Sequence, residues 1–261
     1  MMSGSTLHEL HDRERLRALY DREPLVAVRA RSILYGLQLP DVRILVDDPD
    51  QPRGVLLTHD GLLWDAYSPD PQVARDMLDR FRPAGRVIFF GVAGSLLEHV
   101  RRHFEVIAEI PALLYVLADR SDFRPALPVG EPLGELAPDD ATLVSDAWTV
   151  HDFESPAART SYVRSCIERG PSAAVLHEGR PVSFVLTHGD GSFGILHTDP
   201  EFRRRGLGRR VLSALVEKLL RGGREVFAYV GSGNVASIAL MEATGLRAVQ
   251  ETAVVTVGGR C

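Results

Sequence analysis

Five arginines crowd one short loop of a chain that is acidic overall. Arg203, Arg204 and Arg205 precede Gly206 and Gly208, and Arg209 and Arg210 follow them. An apolar run, SFGILHT (192–198), leads into this loop, and an amphipathic stretch from Gly206 to Arg221 leaves it. The order strand, Arg203-x-x-Gly206-x-Gly208, helix has a physical use. Glycine lets a ligand approach the backbone, the first N–H groups of a helix point outward, and the positive helix end favours a negative charge. Arginine side chains beside them suit phosphate oxygens. A P-loop would need Lys followed by Ser or Thr after the second glycine, where Arg209-Arg210 stand, and a dinucleotide fingerprint would need a third spaced glycine. The loop therefore reads as a phosphate site of another kind.

The rest of the chain has to position that loop. With 261 residues, 45% of them hydrophobic, it is long enough for one large domain or two ordinary ones with a real core. A formal charge of -5 argues against general nucleic-acid binding, so the arginine cluster is local. Lys218 is the sole lysine; arginine usage of this kind is expected of a GC-rich, bacterial coding genome. Cys166 and Cys261 are the only cysteines, which suggests neither a disulfide framework nor a zinc site, and no metal is expected. The N-terminus has no signal-peptide core and no stretch approaches the roughly 18 apolar residues of a membrane span, so a soluble, cytoplasmic protein is expected.

Residues 119–140, rich in Pro and Gly without apolar periodicity, read as a linker. Before them, helical spacing over 6–22 and 23–37 is followed by strands at 42–48 and 53–68, the latter folded at a two-residue Asp60-Gly61 turn. A helix at 71–81, a strand at 86–91, a helix at 95–103 and a strand at 110–118 complete this half. After the linker come helices at 139–148 and 156–168, strands at 172–179, 180–190 and 192–198, a helix at 206–221, a strand at 225–230, a helix at 234–244 and a final strand at 247–257. The repeated element order suggests an ancient duplication, although residue identity between the halves is low.

The stretch ILHTDPEFRRRGLG resembles the fourth strand and pyrophosphate loop of the GNAT superfamily of CoA-dependent N-acyltransferases, and NVASIALMEATGL resembles its later Asn-to-Gly helix. Residues 161–208 are also similar to the C-terminal part of glycine N-acyltransferases, a group with a degenerate GNAT-like first half. The resemblance implies an α/β (α+β) tandem GNAT-like fold, each half a mixed, mostly antiparallel sheet flanked by helices. The expected division is 1–122 as a degenerate GNAT-like domain, 123–138 as linker and 139–261 as the domain that binds acetyl-CoA or another acyl-CoA as cosubstrate. The backbone of Leu196, His197 and Thr198 would pair with the pantetheine arm. Arg203, Arg204, Arg205, Gly206, Leu207, Gly208 and Arg209 would hold the pyrophosphate, and Asn234 and Ser237 would contact the arm from the other side. The first half lacks an Arg-x-x-Gly-x-Gly loop, so a structural or acceptor-shaping role is expected of it.

Two family positions depart from the pattern. The Glu that serves as base early in the fourth strand falls on Ser192, which could hold a water but cannot accept the proton as a carboxylate does, and the Tyr that reprotonates the thiolate falls on Met241. A base recruited from elsewhere, an amine that arrives neutral, and a fold kept for binding alone all remain open. His197 is the nearest titratable group to the expected acyl carbon, and an unperturbed imidazole titrates near pH ~6.5. Strict alternation would set His197 opposite Ser192, unless a bulge resets the strand. Tyr229 is kept as a proton donor, and Glu251 as a weaker base candidate. His151, Asp152 and Glu154 could hold an amine or form a solvated loop. His188 and Asp190 read as hairpin residues, Trp148 and Tyr162 as core, and Cys166 as a buried apolar side chain.

The expected function is direct transfer of an acyl group to a primary amine, of an amino acid or another small molecule; an acyl-CoA-binding sensor with little catalysis is the alternative. The expected partners are a small-molecule amine, no nucleic acid and no membrane, with the chain a monomer or homodimer.

Overall fold

The computed structural model describes residues 6–37, 39, 41–126, 132–148 and 155–260. Contacts divide the chain into two units, one of residues 1–115, 229–234 and 248–261, the other of residues 116–228 and 235–247.

In the first unit, β1 (His8–Glu9), α1 (Arg17–Tyr20) and α2 (Val28–Arg31) lead to β2 (Arg43–Val46), β3 (Val55–Thr58) and β4 (Leu63–Tyr67). The helix expected over 6–22 is interrupted. His8 and Glu9 pair with Val46 and Leu45 as a strand, and the Asp12 carboxylate accepts the Glu14 amide to start a 3-10 turn, a cap placed inside the periodic stretch. The turn after β3 is also wider than a two-residue hairpin: Thr58 lies opposite Trp64, Asp60 Oδ1 accepts the amides of Leu62 and Leu63, and Thr58 Oγ1 accepts that of Gly61. Side-chain acceptors for three loop amides favour the longer connection.

Next come α3 (Pro71–Arg80), β5 (Val87–Val92), α4 (Gly94–His103) and β6 (Phe104–Val116). Asp70 caps α3 through the Gln72 amide, with Pro71 in the first turn, and the helix buries Val73, Ala74, Met77 and Leu78. β5 runs parallel to β4 across this helix.

In the second unit, β7 (Leu133–Gly134), α5 (Ala141–Ala147) and α6 (Pro156–Arg169) precede β8 (Ser172–His177), β9 (Arg180–Thr187) and β10 (Phe193–Thr198). Then come α7 (Leu207–Arg221) and α8 (Val235–Thr244) of the same unit, with β11 (Phe227–Gly231) and β12 (Arg247–Arg260), most of whose residues belong to the first unit, after each in turn. β7 to β10 form an antiparallel sheet of order β10-β9-β8-β7. Helices α5 and α6 bury Val144, Val163 and Ile167 on the sheet face that carries Ala174, Phe184 and Leu186. α7 packs against β8, β9 and β10 through a stripe that includes Leu207, Val211, Leu215 and Leu219, the spacing of an amphipathic helix.

The last strands belong to the other sheet, whose order is β1-β2-β3-β4-β5-β12-β6-β11. β12 pairs antiparallel with β5, setting Val255 opposite Phe89 in a core with Trp64, Phe81 and Phe104. Both sheets are mixed or antiparallel and flanked by helices.

The stretch read as a linker is anchored where it is described. The Ala126 amide donates to Ser213 Oγ at 2.9 Å, the Arg124 amide to the Thr244 carbonyl at 3.0 Å, and Leu133 pairs with Val175. Arg124 crosses the end of α8, where the Leu246 amide reaches the Met241 carbonyl and Gly245, at φ +99°, closes the helix.

Both units bury phenols. Burial pushes Tyr20 and Tyr162 well above the usual phenol range, with Asp65 adding to the first and Cys166 and Asp190 to the second; burial also lifts Tyr35 to about 12 and the Cys166 thiol to about 11. Unfolded chains lose these protons first, near pH ~9 for the thiol and ~10 for the phenols, so the unfolded state binds fewer protons at alkaline pH. The stability these groups contribute is whole below their unfolded values and is lost as pH rises through the folded ones. Urea midpoints should therefore decline from about pH 9 and more steeply above about 10. A midpoint constant to pH ~11.5 would contradict the burial of these side chains.

Candidate active site

β10 is an edge strand: among the described residues, β9 is the one strand paired with it. Its register carries an extra residue. Phe193 and Gly194 face Thr187 and Leu186, whereas His197 and Thr198 face Phe184 and Ser183, and Ile195 takes φ +52°. This is a β-bulge, and it resets the alternation that would otherwise have turned His197 away. His197 thus shares a face with Phe184 and Leu186, on the side covered by α5 and α6, and its ring stacks on Phe184 at 5.3 Å.

His197 Nε2 lies 3.1 Å from Asp199 Oδ1, and the other oxygen of Asp199 takes Arg180 Nη2 at 3.1 Å. The two side chains are 23% and 16% exposed, sheltered but reachable. They line a cavity of about 610 Å³ together with Asp139, Thr142, Leu143, Asp146, Ala147 and Arg180. Thr198 points to the opposite face, where its hydroxyl meets Ser183 Oγ at 2.8 Å beneath Gly208 of α7.

The loop after β10 turns twice through left-handed backbone, at Arg204 (φ +61°) and Gly206 (φ +76°). Gly206 is the N-cap of α7 and offers no side-chain cap; the first helical bond is from the Arg210 amide to the Gly206 carbonyl. The amides of Leu207, Gly208 and Arg209 therefore precede any helical acceptor. A Cβ on Gly206 would meet nothing within 4 Å, so the space before these donors is open.

The arginine side chains divide their work. Arg203, Arg204 and Arg205 are exposed, while Arg203 Nε donates to the Thr198 carbonyl at 3.0 Å and Arg205 Nη2 to the Glu201 carbonyl at 3.0 Å. Arg209 Nη2 instead donates to the carbonyls of Ala243 and Arg124, at 3.1 and 3.4 Å, tying the loop to the end of α8. The Thr198 carbonyl, expected to face a pantetheine arm, is thus engaged by Arg203, and the Arg209 guanidinium is directed away from the loop.

Ser192 is 3% exposed, and its hydroxyl and amide both donate to Asp190 Oδ1, at 2.6 and 2.9 Å. It closes the hairpin turn with Asp190, itself buried. His188 Nδ1 lies 3.0 Å from Tyr162 Oη, and Trp148 stacks on Tyr162, an aromatic cluster against the α5–α6 core. Cys166 is buried, and burial raises its thiol to about 11, which suits packing and not nucleophilic attack. Met241 is buried on α8, and Ser237 is half-buried on the same helix.

Tyr229, Asn234 and Glu251 belong to the first unit. The Tyr229 ring stands edge-on to Phe90 at 4.7 Å, with its hydroxyl over Gly91; Asn234 and Glu251 are exposed. His151, Asp152 and Glu154 lie outside the described residues. The sequence reading missed Asp199, Arg180, Asp139 and Asp146. Of these only Asp199, two residues beyond His197, carried a local signal.

A family model described as FR47-like protein matches residues 177–255, the stretch that contains the bulged strand, the loop and α7. No match is found among the curated proteins. Among solved structures, a Drosophila protein is 18% identical, with a TM-score of 0.77 over 96% of this chain and 98% of its own. A tandem GNAT protein from the clavulanic acid biosynthesis pathway is 16% identical with a TM-score of 0.51, covering 97% of both chains. A GCN5-related N-acetyltransferase from Kribbella flavida is 19% identical with a TM-score of 0.53, over 89% of this chain and 95% of its own. The chain has the tandem GNAT fold.

Proposed function

We propose that the protein is an acyl-CoA-dependent N-acyltransferase whose second half, residues 139–261, binds acetyl-CoA or a related thioester and transfers the acyl group to a primary amine. The observation that carries this reading is the run from a bulged edge strand, through two left-handed loop residues, into the uncapped start of α7. The open edge of β10 suits an extended amide-bearing arm, and the amides of Leu207, Gly208 and Arg209 suit a diphosphate, with Arg204 and Arg205 supplying charge.

The thioester supplies an activated carbonyl carbon. The chain has three tasks around it: to orient the amine, to give a backbone N–H of the β10 bulge to the developing oxyanion, and to take a proton from the amine nitrogen. An acceptor that arrives as an ammonium ion first gives one proton to solvent; the neutral nitrogen then attacks, His197, oriented by Asp199, takes the second proton as the C–N bond forms, and the C–S bond breaks with the sulfur leaving as thiolate. The cavity beside His197 holds Asp139, Asp146 and Asp199 against Arg180, an excess of negative charge that favours a cationic amine. The likeness to glycine N-acyltransferases favours a small amino-acid acceptor.

Thermal unfolding with acetyl-CoA and benzoyl-CoA, followed by an amine screen for released thiol, tests the reading. Stabilisation by a thioester with release of thiol supports it; stabilisation with no thiol from any amine leaves only a sensor, and no stabilisation removes both. Replacing His197 with Ala should lower kcat by about 10²- to 10³-fold while acyl-CoA affinity changes less than about threefold. An unaltered pH–rate profile in that variant would remove His197 as the base.

A further inference from the structure

A second cluster of ligating side chains lies in the first unit, far in sequence from the arginine loop. His99 and His103 stand four residues apart on α4, one above the other on one helix face, and Asp79 reaches them from the last turn of α3, which packs against α4. His99 Nε2 is 3.0 Å from Asp79 Oδ1, and the two imidazoles stack at 4.1 Å with 24° between their planes. One donor atom from each of the three residues lies within 4.8 Å of the others.

We propose that Asp79, His99 and His103 form a binding site for a divalent transition metal of the zinc class, with water in the fourth position. The ring of His103 is already set for this. Its Nδ1 lies 3.0 Å from the His99 carbonyl, where a neutral imidazole must place its proton, so Nε2 carries the lone pair. A backbone carbonyl on the second ring nitrogen is the support that metal-bound histidines ordinarily have.

The spacing agrees. Zinc bonds of about 2.0–2.2 Å put tetrahedral ligand atoms about 3.3–3.5 Å apart, so the Asp79–His99 edge needs little change in length, the proton it holds on His99 Nε2 passing to solvent as the ion enters, and the third ligand needs a modest side-chain rotation. Two imidazoles with one carboxylate select zinc and its neighbours over magnesium or calcium, which take all-oxygen sites. His99 is 8% exposed and anchors the cluster, while the Asp79 side chain is 46% exposed and leaves a way in for the ion. Low cysteine usage spoke against zinc in the sequence; this set contains no cysteine, and its third member is twenty residues from the nearer histidine. Binding would fasten α3 to α4 in the unit that lacks the Arg-x-x-Gly-x-Gly loop.

The test is a titration of the metal-stripped, tag-free full chain with zinc chloride, followed by calorimetry and thermal unfolding, with cobalt chloride as a spectroscopic probe. One equivalent of zinc should bind and raise the unfolding midpoint, and cobalt should give the intense visible band of a tetrahedral ion. His103→Ala and Asp79→Asn, both at accessible side chains, should each weaken binding by at least about a hundredfold while their midpoints in chelator stay near wild type. Absence of zinc binding to the wild type, or wild-type affinity in either variant, overturns the proposal. None of these readouts involves acyl transfer, so the outcome is separate from that of the proposed function.

Discussion

In the Gly206→Trp variant, acyl-CoA should no longer raise the unfolding midpoint at all. For the wild type, ligand at a hundred times its Kd stabilises the native state by about 2.7 kcal/mol, which moves the midpoint by several degrees. The indole would enter the space in front of the Leu207, Gly208 and Arg209 amides, where a Cβ at present meets nothing within 4 Å. Filling that space denies the diphosphate both the donors and the positive end of α7. Backbone strain is a separate effect, because Gly206 sits at φ +76° and any other residue there costs about 1–2 kcal/mol. Gly206→Ala measures it: the apo midpoint should fall while much of the ligand-induced shift survives. Retention of the full shift in Gly206→Trp would show that the thioester binds elsewhere. Its complete loss in Gly206→Ala would assign the effect to backbone conformation and not to space.

The loop was legible because its chemistry is local: strand, arginines, glycines and helix follow one another within thirty residues, and each step has a short-range cause. The bulge was not. A register shift depends on which residues of β9 lie opposite, and nothing in FGILHT marks Ile195 for φ +52°; yet that shift decides that His197 faces Asp199 and the α5 side. The same holds for Ser192, whose hydroxyl could have faced a cavity but closes a turn on Asp190. Helices with a side-chain cap, such as α3 and α6, or a strong apolar stripe, such as α7, fell close to their expected bounds, whereas 6–22 broke because Asp12 competes as a cap and His8 and Glu9 find a partner strand. The destination of β12 in the sheet of the first unit had no sequence signal, since its apolar alternation would serve any neighbour.

Long-range pairing also underlies the largest stability change we expect. Arg29 is 1% exposed on α2, its guanidinium hydrogen-bonded to Asp65 of β4 and 4.6 Å above the Phe90 ring. A charge so buried is tolerated because its partner is close and the ring face is electron-rich; desolvating the two ions costs several kcal/mol that their attraction only about returns. Asp65→Ala leaves the guanidinium buried without its counter-ion and should cost about 3–5 kcal/mol, a large share of the roughly 5–15 kcal/mol that holds a typical protein folded. The double replacement Arg29→Met with Asp65→Leu removes both charges and should regain most of that loss. Urea unfolding of wild type, Arg29→Met, Asp65→Leu and the double variant closes the cycle, and a coupling of at least about 2 kcal/mol is expected. Additive single effects would mean that the guanidinium is held chiefly by its other surroundings, and that the ion pair contributes little to placing α2 on the sheet.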